Sequence, residues 1–261
     1  MHLVGFFAAC VACATSVGSS PFEAVMPADP EPACEADPLE GVDEAVRLAL
    51  NDATLFLDAE MSWSLSDSDA ALFRESGGGD HASTLGFTTA GGARAMLDAA
   101  RALKAPGRPP RAFLDLGSGG GHTVLYFAIL DANLTCAGYE LSVDRHAASV
   151  EALARLDEAH PRLGLKGRVR FVQGDMTEAK VEGFDVVWAS TLALGDGLRR
   201  RLATKLVSEL DRGAVVFSSV RLFSGPERPP LVVANSWSHA HEVDVAVAGE
   251  ATGVAASLLP R

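Results

Sequence analysis

"FLDLGSGGGHTVLYFAIL", running from Phe113 to Leu130, decides the fold. A short apolar run breaks into Gly-Ser-Gly-Gly-Gly and then resumes as an apolar segment long enough for a helix. A buried strand that ends in a glycine turn and opens a helix is one way an α/β sheet holds a nucleotide-like ligand. The strand is expected over 112–116 and the helix from about Gly121.

Downstream of this stretch, strands and helices alternate. "LTCAGYE" (134–140) reads as a strand, and the helix after it is expected to bury Val143, Ala147, Val150 and Ala154. "RVRFVQ" (168–173) and "FDVVWAS" (184–190) read as strands; Leu198, Leu202, Leu206 and Leu210 then mark a helix that stops by Gly213. "AVVFSSV" (214–220) is the next strand. Such alternation predicts a Rossmann-like, doubly wound, mostly parallel α/β sheet. No helical segment separates "PLVVANSWSHA" from "EVDVAVAG", so a C-terminal antiparallel hairpin strand should complete a seven-stranded sheet.

Upstream, Val42, Val46, Ala49, Ala53 and Leu57 recur at helical spacing over 41–61. Ser66 with Asp69 has the form of a capping box for a short helix through Phe73. "SGGGDHAS" is a joint, and Thr88 or Thr89 caps a helix to about Lys104. The charge is uneven: residues 21–80 carry 15 acidic against 2 basic side chains, while residues 81–261 carry 19 against 20. The clustered Lys and Arg that neutralise nucleic-acid phosphates are absent from this balance, so no strong nucleic-acid binding is expected.

The first 20 residues, "MHLVGFFAACVACATSVGSS", have the apolar core and small residues of a cleavable leader and are too short to span a bilayer comfortably. The mature chain should then have no membrane span, and Cys10 and Cys13 leave with the leader. Cys34 and Cys136 form no disulfide framework, and no Cys/His cluster has zinc spacing. The expected division is a leader over 1–20, an acidic, partly helical segment over 21–80, the sheet domain over 81–250 and a tail over 251–261.

Ligands in such sheets bind at the carboxyl ends of the strands. Read in order, those ends are Asp115, Gly117, Ser118, Gly119 and Gly121; then Glu140; then Asp175 and Met176; then Ser190 and Thr191. A dinucleotide turn wants G-x-G-x-x-G/A, but the sixth position from Gly117 is His122, too large for close helix–strand packing. D-x-G-x-G-x-G suits a ligand without phosphates, and S-adenosylmethionine is the cofactor expected, its amino-acid end along the glycine turn. Glu140 can accept from both ribose hydroxyls. Asp175 can accept from the adenine amino group, with Met176 against the ring.

"FLDLGSGGGHTVLYFAI", "GYELS", "VRFVQGDM" and "LALGDGLRRRLATKLVSELDRGAVVFSSVRLF" together resemble the disruptor-of-telomeric-silencing family, histone H3 lysine methyltransferases that lack a SET domain. "LGFTTAGGARAMLDAAR" is similar to that family's Y-G-E-T-x loop and the helix after it. The resemblance covers about residues 85–225 and implies methyl transfer to a protein lysine, with histone H3 as the partner. It places Thr88 near the methionine end of the cofactor, Ser190 and Thr191 near the acceptor channel, and Phe223 in the loop that follows; Phe87 and Trp188 are further candidate walls. Phe87 and Leu85 stand where the family has Glu and Tyr, and Ser190 and Thr191 replace a pair of asparagines. Organelle protein-lysine methyltransferases with a G-Y-E-L-N element are a similar second group. The histone resemblance implies a nuclear location; the leader implies a secretory or organelle route. A small-molecule acceptor and a non-catalytic cofactor-binding role are the rival readings.

Overall fold

The computed structural model describes residues 37–60, 66–76, 88–192, 194–224, 231–234, 240–250 and 253–254. The expected leader, Cys10, Cys13, Cys34, the glycine-rich joint after Ser76, Leu85 and Phe87 lie outside the described residues.

Seven strands form one sheet: β1 (Ala112–Leu116), β2 (Thr135–Glu140), β3 (Val169–Gln173), β4 (Val186–Ala189), β5 (Val215–Ser218), β7 (Leu231–Ala234) and β8 (Ala240–Val247). Their order is β3-β2-β1-β4-β5-β8-β7. Pairs among β1 to β5 are parallel, while β8 runs antiparallel to both β5 and β7. Six strands therefore point one way and β8 the other, as the missing helix before "EVDVAVAG" predicts. A two-residue strand β6 (Phe223–Ser224) pairs separately with β9 (Gly253–Val254).

The alternation of strand side chains divides the core in two. Phe113, Trp188 and Phe217 point to the face covered by α1 (Glu44–Glu60), α3 (Ala90–Leu103), α4 (His122–Leu130) and α5 (Val143–Ala159). Leu114, Leu116, Val187 and Val216 point to the face covered by α6 (Asp196–Glu209). Helix α4 is buried on nearly every side, which is why its sequence shows no polar stripe. Phe127 stacks on Phe113 of β1 with ring centroids 3.8 Å apart. Among the described residues no helix is long and apolar enough to cross a membrane.

Within the acidic stretch, Ala49, Leu50, Ala53 and Leu57 of α1 are buried in the same core as Met96 and Tyr126. One expectation changes at this level. Helix α5 buries the opposite face from the one expected. Val143 and Val150 are exposed, and the covered stripe is Arg145, Ala148, Ser149, Ala152, Leu153 and Leu156. Small and polar residues on that stripe let α5 lie close to the sheet and the glycine turn; Ser149 Cβ would sit 3.1 Å from a Cβ on Gly121.

Candidate functional site

The turn after β1 has a backbone that few residues but glycine adopt. Gly117, Gly119 and Gly121 have φ of 86°, 53° and 91°. At Gly121 space forbids a side chain as well, because a Cβ would lie 2.6 Å from the Phe171 ring. The Gly117 and Ser118 amides both donate to the Tyr139 carbonyl at 2.9 Å, so the turn folds over the end of β2. Gly138 permits that approach; a Cβ there would meet Ser118 at 2.7 Å.

Asp115 lies in this fold, 2% exposed, between Gly138 on β2 and Trp188 on β4. Its Oδ1 has no hydrogen-bond partner among the described residues. It does not cap the next helix, whose N-cap is Gly121 with no side-chain bond. Burial first, and the nearby Glu140 charge second, hold its carboxyl well above the usual aspartate range. Glu140 is 4% exposed and gripped at both oxygens: Ser142 N donates to Oε1 at 2.8 Å and Gly119 N to Oε2 at 2.7 Å. Burial raises its pKa, against the pull of those two amides and of Arg145. Two buried carboxyls side by side make a place for a ligand that brings positive charge and hydrogen-bond donors.

The other expected residues divide. Thr89, not Thr88, caps α3, accepting from Gly92 N at 3.2 Å. Thr88 is 1% exposed with its Oγ1 lacking a partner among the described residues, as does buried Ser118 Oγ. Asp175 Oδ1 accepts from Thr177 N at 2.7 Å and Thr177 Oγ1 at 2.8 Å, which closes the turn after β3. Met176 reaches back so that its Cε would lie 3.5 Å from a Cβ on Gly117. The ends of β1, β2 and β3 thus converge on one place.

The expected acceptor side is less unified. Ser190 is half-buried at the carboxyl end of β4. Thr191 is fully buried, its N–H donating to Ser219 Oγ at 3.1 Å and its Oγ1 accepting from Val220 N at 3.2 Å, so it ties the loop after β4 to the one after β5. Phe223 lies in the short strand β6 and not in a loop; its ring is 5% exposed and belongs to the apolar cluster with Leu206, Leu210 and Val216. Trp188, 4% exposed, is likewise core. His122 opens α4 at 1% exposure, its Nε2 3.5 Å from Asp58 of α1; burial takes its pKa down to about 3, so the ring is neutral near pH 7.

Three residues with a part in the site escape a sequence reading: Asp69, Ser142 and Arg145. Asp69 is fully buried, on α2 (Asp67–Glu75). Its backbone N–H meets Ser66 Oγ as a helix cap should, at 3.3 Å, but its carboxylate accepts from Ser142 Oγ and from Val143 N at 3.0 Å. A capping-box reading sends that carboxylate to its own helix, and nothing local signals a partner 73 residues away.

No family model and no curated protein matches the chain. Among solved structures it is similar to an RNA methyltransferase from Salinibacter ruber in complex with S-adenosyl-L-homocysteine, at 22% identity over 57% of this chain and 87% of that one, TM-score 0.39. It is also similar to the plantazolicin methyltransferase BpumL in complex with the same ligand, at 13% identity over 67% of this chain and 61% of that one, TM-score 0.39. A third likeness is to the [4+2]-cyclase SpnF, at 21% identity over 48% of this chain and 44% of that one, TM-score 0.36. The chain spans less than two thirds of the second and third. Likeness at this level transfers no activity. What the chain does has to come from its own residues.

Proposed function

We propose that the protein is an S-adenosylmethionine-dependent methyltransferase whose acceptor is a lysine side chain of a protein. The observation that carries the first half is the pair of buried carboxyls at adjoining strand ends, Asp115 with an unsatisfied Oδ1 and Glu140 with both oxygens held in place by backbone amides. Asp115 would take the cofactor's amino group and Glu140 its ribose hydroxyls, each oxygen of Glu140 using the lone pair its amide leaves free. Asp175 Oδ2 and Met176 would take the adenine, and Thr88 Oγ1 would sit toward the methionine end. When bound, the cofactor supplies a methyl group already activated on a sulfonium.

The chain then has to position the acceptor and keep its amine neutral. With a reference pKa near 10.4, only about one lysine in 2,500 is neutral at pH 7, a cost of about 4.6 kcal/mol. Desolvation against an apolar wall lowers that cost. Ser190 at the end of β4, followed in the chain by Leu192 at 72% exposure, is the surface where an acceptor would arrive. The lysine assignment is supported by the sequence resemblance over residues 85–225, which also makes histone H3 the first protein to try.

Calorimetry on the full chain should show binding of S-adenosylhomocysteine and none of NAD. Cofactor labelled at its methyl group, mixed with histones or total cell protein, should leave label in methyl-lysine after hydrolysis, and Asp115→Ala should abolish it. Binding of NAD instead would overturn the cofactor, and label found only in small molecules would overturn the protein acceptor.

A further inference from the structure

Helix α2 belongs to the acidic stretch ahead of the expected domain, yet it is pinned at both ends across the site. At one end, Asp69 accepts from Ser142 Oγ, from Val143 N at 3.0 Å and from Asp144 N at 3.3 Å, which caps the start of α5 from outside. At the other, Ser76 O accepts from Arg201 Nη2 of α6 at 2.7 Å. Helices α5 and α6 cover opposite faces of the sheet, so α2 bridges the two. The Arg145 guanidinium lies 5.8 Å from the centroid of the Phe73 ring, and its charge acts on both Glu140 and Asp69.

Asp69 and Glu140 are joined through one residue. Ser142 presents its hydroxyl to Asp69 and its amide to Glu140 Oε1, while Gly119 N holds the other oxygen of Glu140. A fully buried carboxylate with three donors is a costly arrangement for a helix cap alone, since a Ser at the N-cap already serves α5 by accepting from Arg145 N at 3.1 Å. Through the Ser142 hydroxyl and the Val143 and Asp144 amides, Asp69 holds the segment whose Ser142 N–H meets Glu140 Oε1.

We infer that Asp69 is a positioning residue for the cofactor's ribose: through Ser142 it fixes the Glu140 carboxylate in the orientation that accepts the 2′- and 3′-hydroxyls. This deepens the methyltransferase reading and rests on it. The ordinary consequence of such a role is that Asp69 matters only to ligands that carry the diol.

The test pairs a protein change with a ligand change. Affinities of the 261-residue chain and of its Asp69→Asn variant are measured by calorimetry for S-adenosylhomocysteine and for its 2′,3′-dideoxyribose analogue, well below each protein's melting temperature. Asp69→Asn should weaken S-adenosylhomocysteine about tenfold and the dideoxy analogue less than about twofold, as for one misdirected hydrogen bond to a charged acceptor. Equal loss on both ligands, or no loss on either, would show a helix cap and nothing more, and overturns the inference. Ser142→Ala, which removes the hydroxyl between the two acids and keeps the amide on Glu140, should reproduce the diol-specific loss, and it decides the matter if Asp69→Asn does not fold. A wild-type chain that binds neither ligand overturns the cofactor reading itself. One that binds both equally well leaves that reading standing and overturns the ribose role of Glu140 and Asp69 together.

Discussion

Replacing Glu140 with Ala tests the carboxylate proposed to hold the ribose. Each carboxylate oxygen is held by one amide, Oε1 by Ser142 at 2.8 Å and Oε2 by Gly119 at 2.7 Å, and each has a second lone pair that the proposed function gives to a ribose hydroxyl. Hydrogen bonds to a charged acceptor contribute about 1.5–3 kcal/mol apiece, and water entering the vacated space recovers part of that. The expected loss of S-adenosylhomocysteine affinity is about 2–4 kcal/mol, or roughly 30- to 1,000-fold. Stability should change less. Two buried amides lose their acceptor, but a carboxylate that burial already disfavours leaves with them. The assay is titration calorimetry on protein shown to be folded by its melting curve. A folded Glu140→Ala chain that binds within about threefold of wild type would refute the assignment.

Asp115→Asn should raise the melting temperature of the ligand-free chain near neutral pH while weakening S-adenosylhomocysteine about tenfold or more, measured by melting with and without ligand. The direction follows from the raised pKa. A group held above its unfolded value favours folding fully below the ordinary aspartate range, near 3.8, and that contribution is lost as pH rises through the folded value. The gain from Asn should therefore vanish on acidification toward pH 4, and wild-type affinity for S-adenosylhomocysteine, whose ammonium group Asp115 would hold, should fall over the same descent; a gain that persists in acid would contradict the burial argument. Gly121→Ala should cost about 2–4 kcal/mol in denaturant unfolding, from roughly 1–2 kcal/mol of left-handed backbone strain plus the displaced Phe171 ring. Unchanged stability there would mean that the turn relaxes easily, although an added Cβ would meet the Phe171 ring at 2.6 Å.

The sequence by itself determined whatever depends on neighbours a few residues apart. Strand β1 and the turn beyond it follow from an apolar run meeting glycines that must take positive φ. The cap at Ser66 follows from a hydroxyl three residues ahead of a free amide, while the same spacing left Thr88 and Thr89 both open and the fold gave α3 to Thr89. The placing of Asp115, Glu140 and Asp175 at successive strand ends follows because parallel strands joined by crossovers all deliver their carboxyl ends to one edge.

Tertiary structure decided the rest, because each case turns on which surface arrives from far along the chain. Val143 and Val150 look like the buried stripe of α5 only until α1, the turn at Gly121 and the sheet claim the face with Ala148, Ser149 and Ala152. Phe223, five residues past the end of β5, begins the short strand β6, and its ring lies in the apolar cluster with Leu202 and Leu206 of α6. Asp69 reads as an ordinary first-turn acid, and its carboxylate belongs instead to a serine 73 residues later. A capping hydroxyl can be inferred from spacing, since its donor is fixed by the helix that follows. An acid that crosses from one helix to the start of another cannot, because only the packing of the two brings a donor within reach.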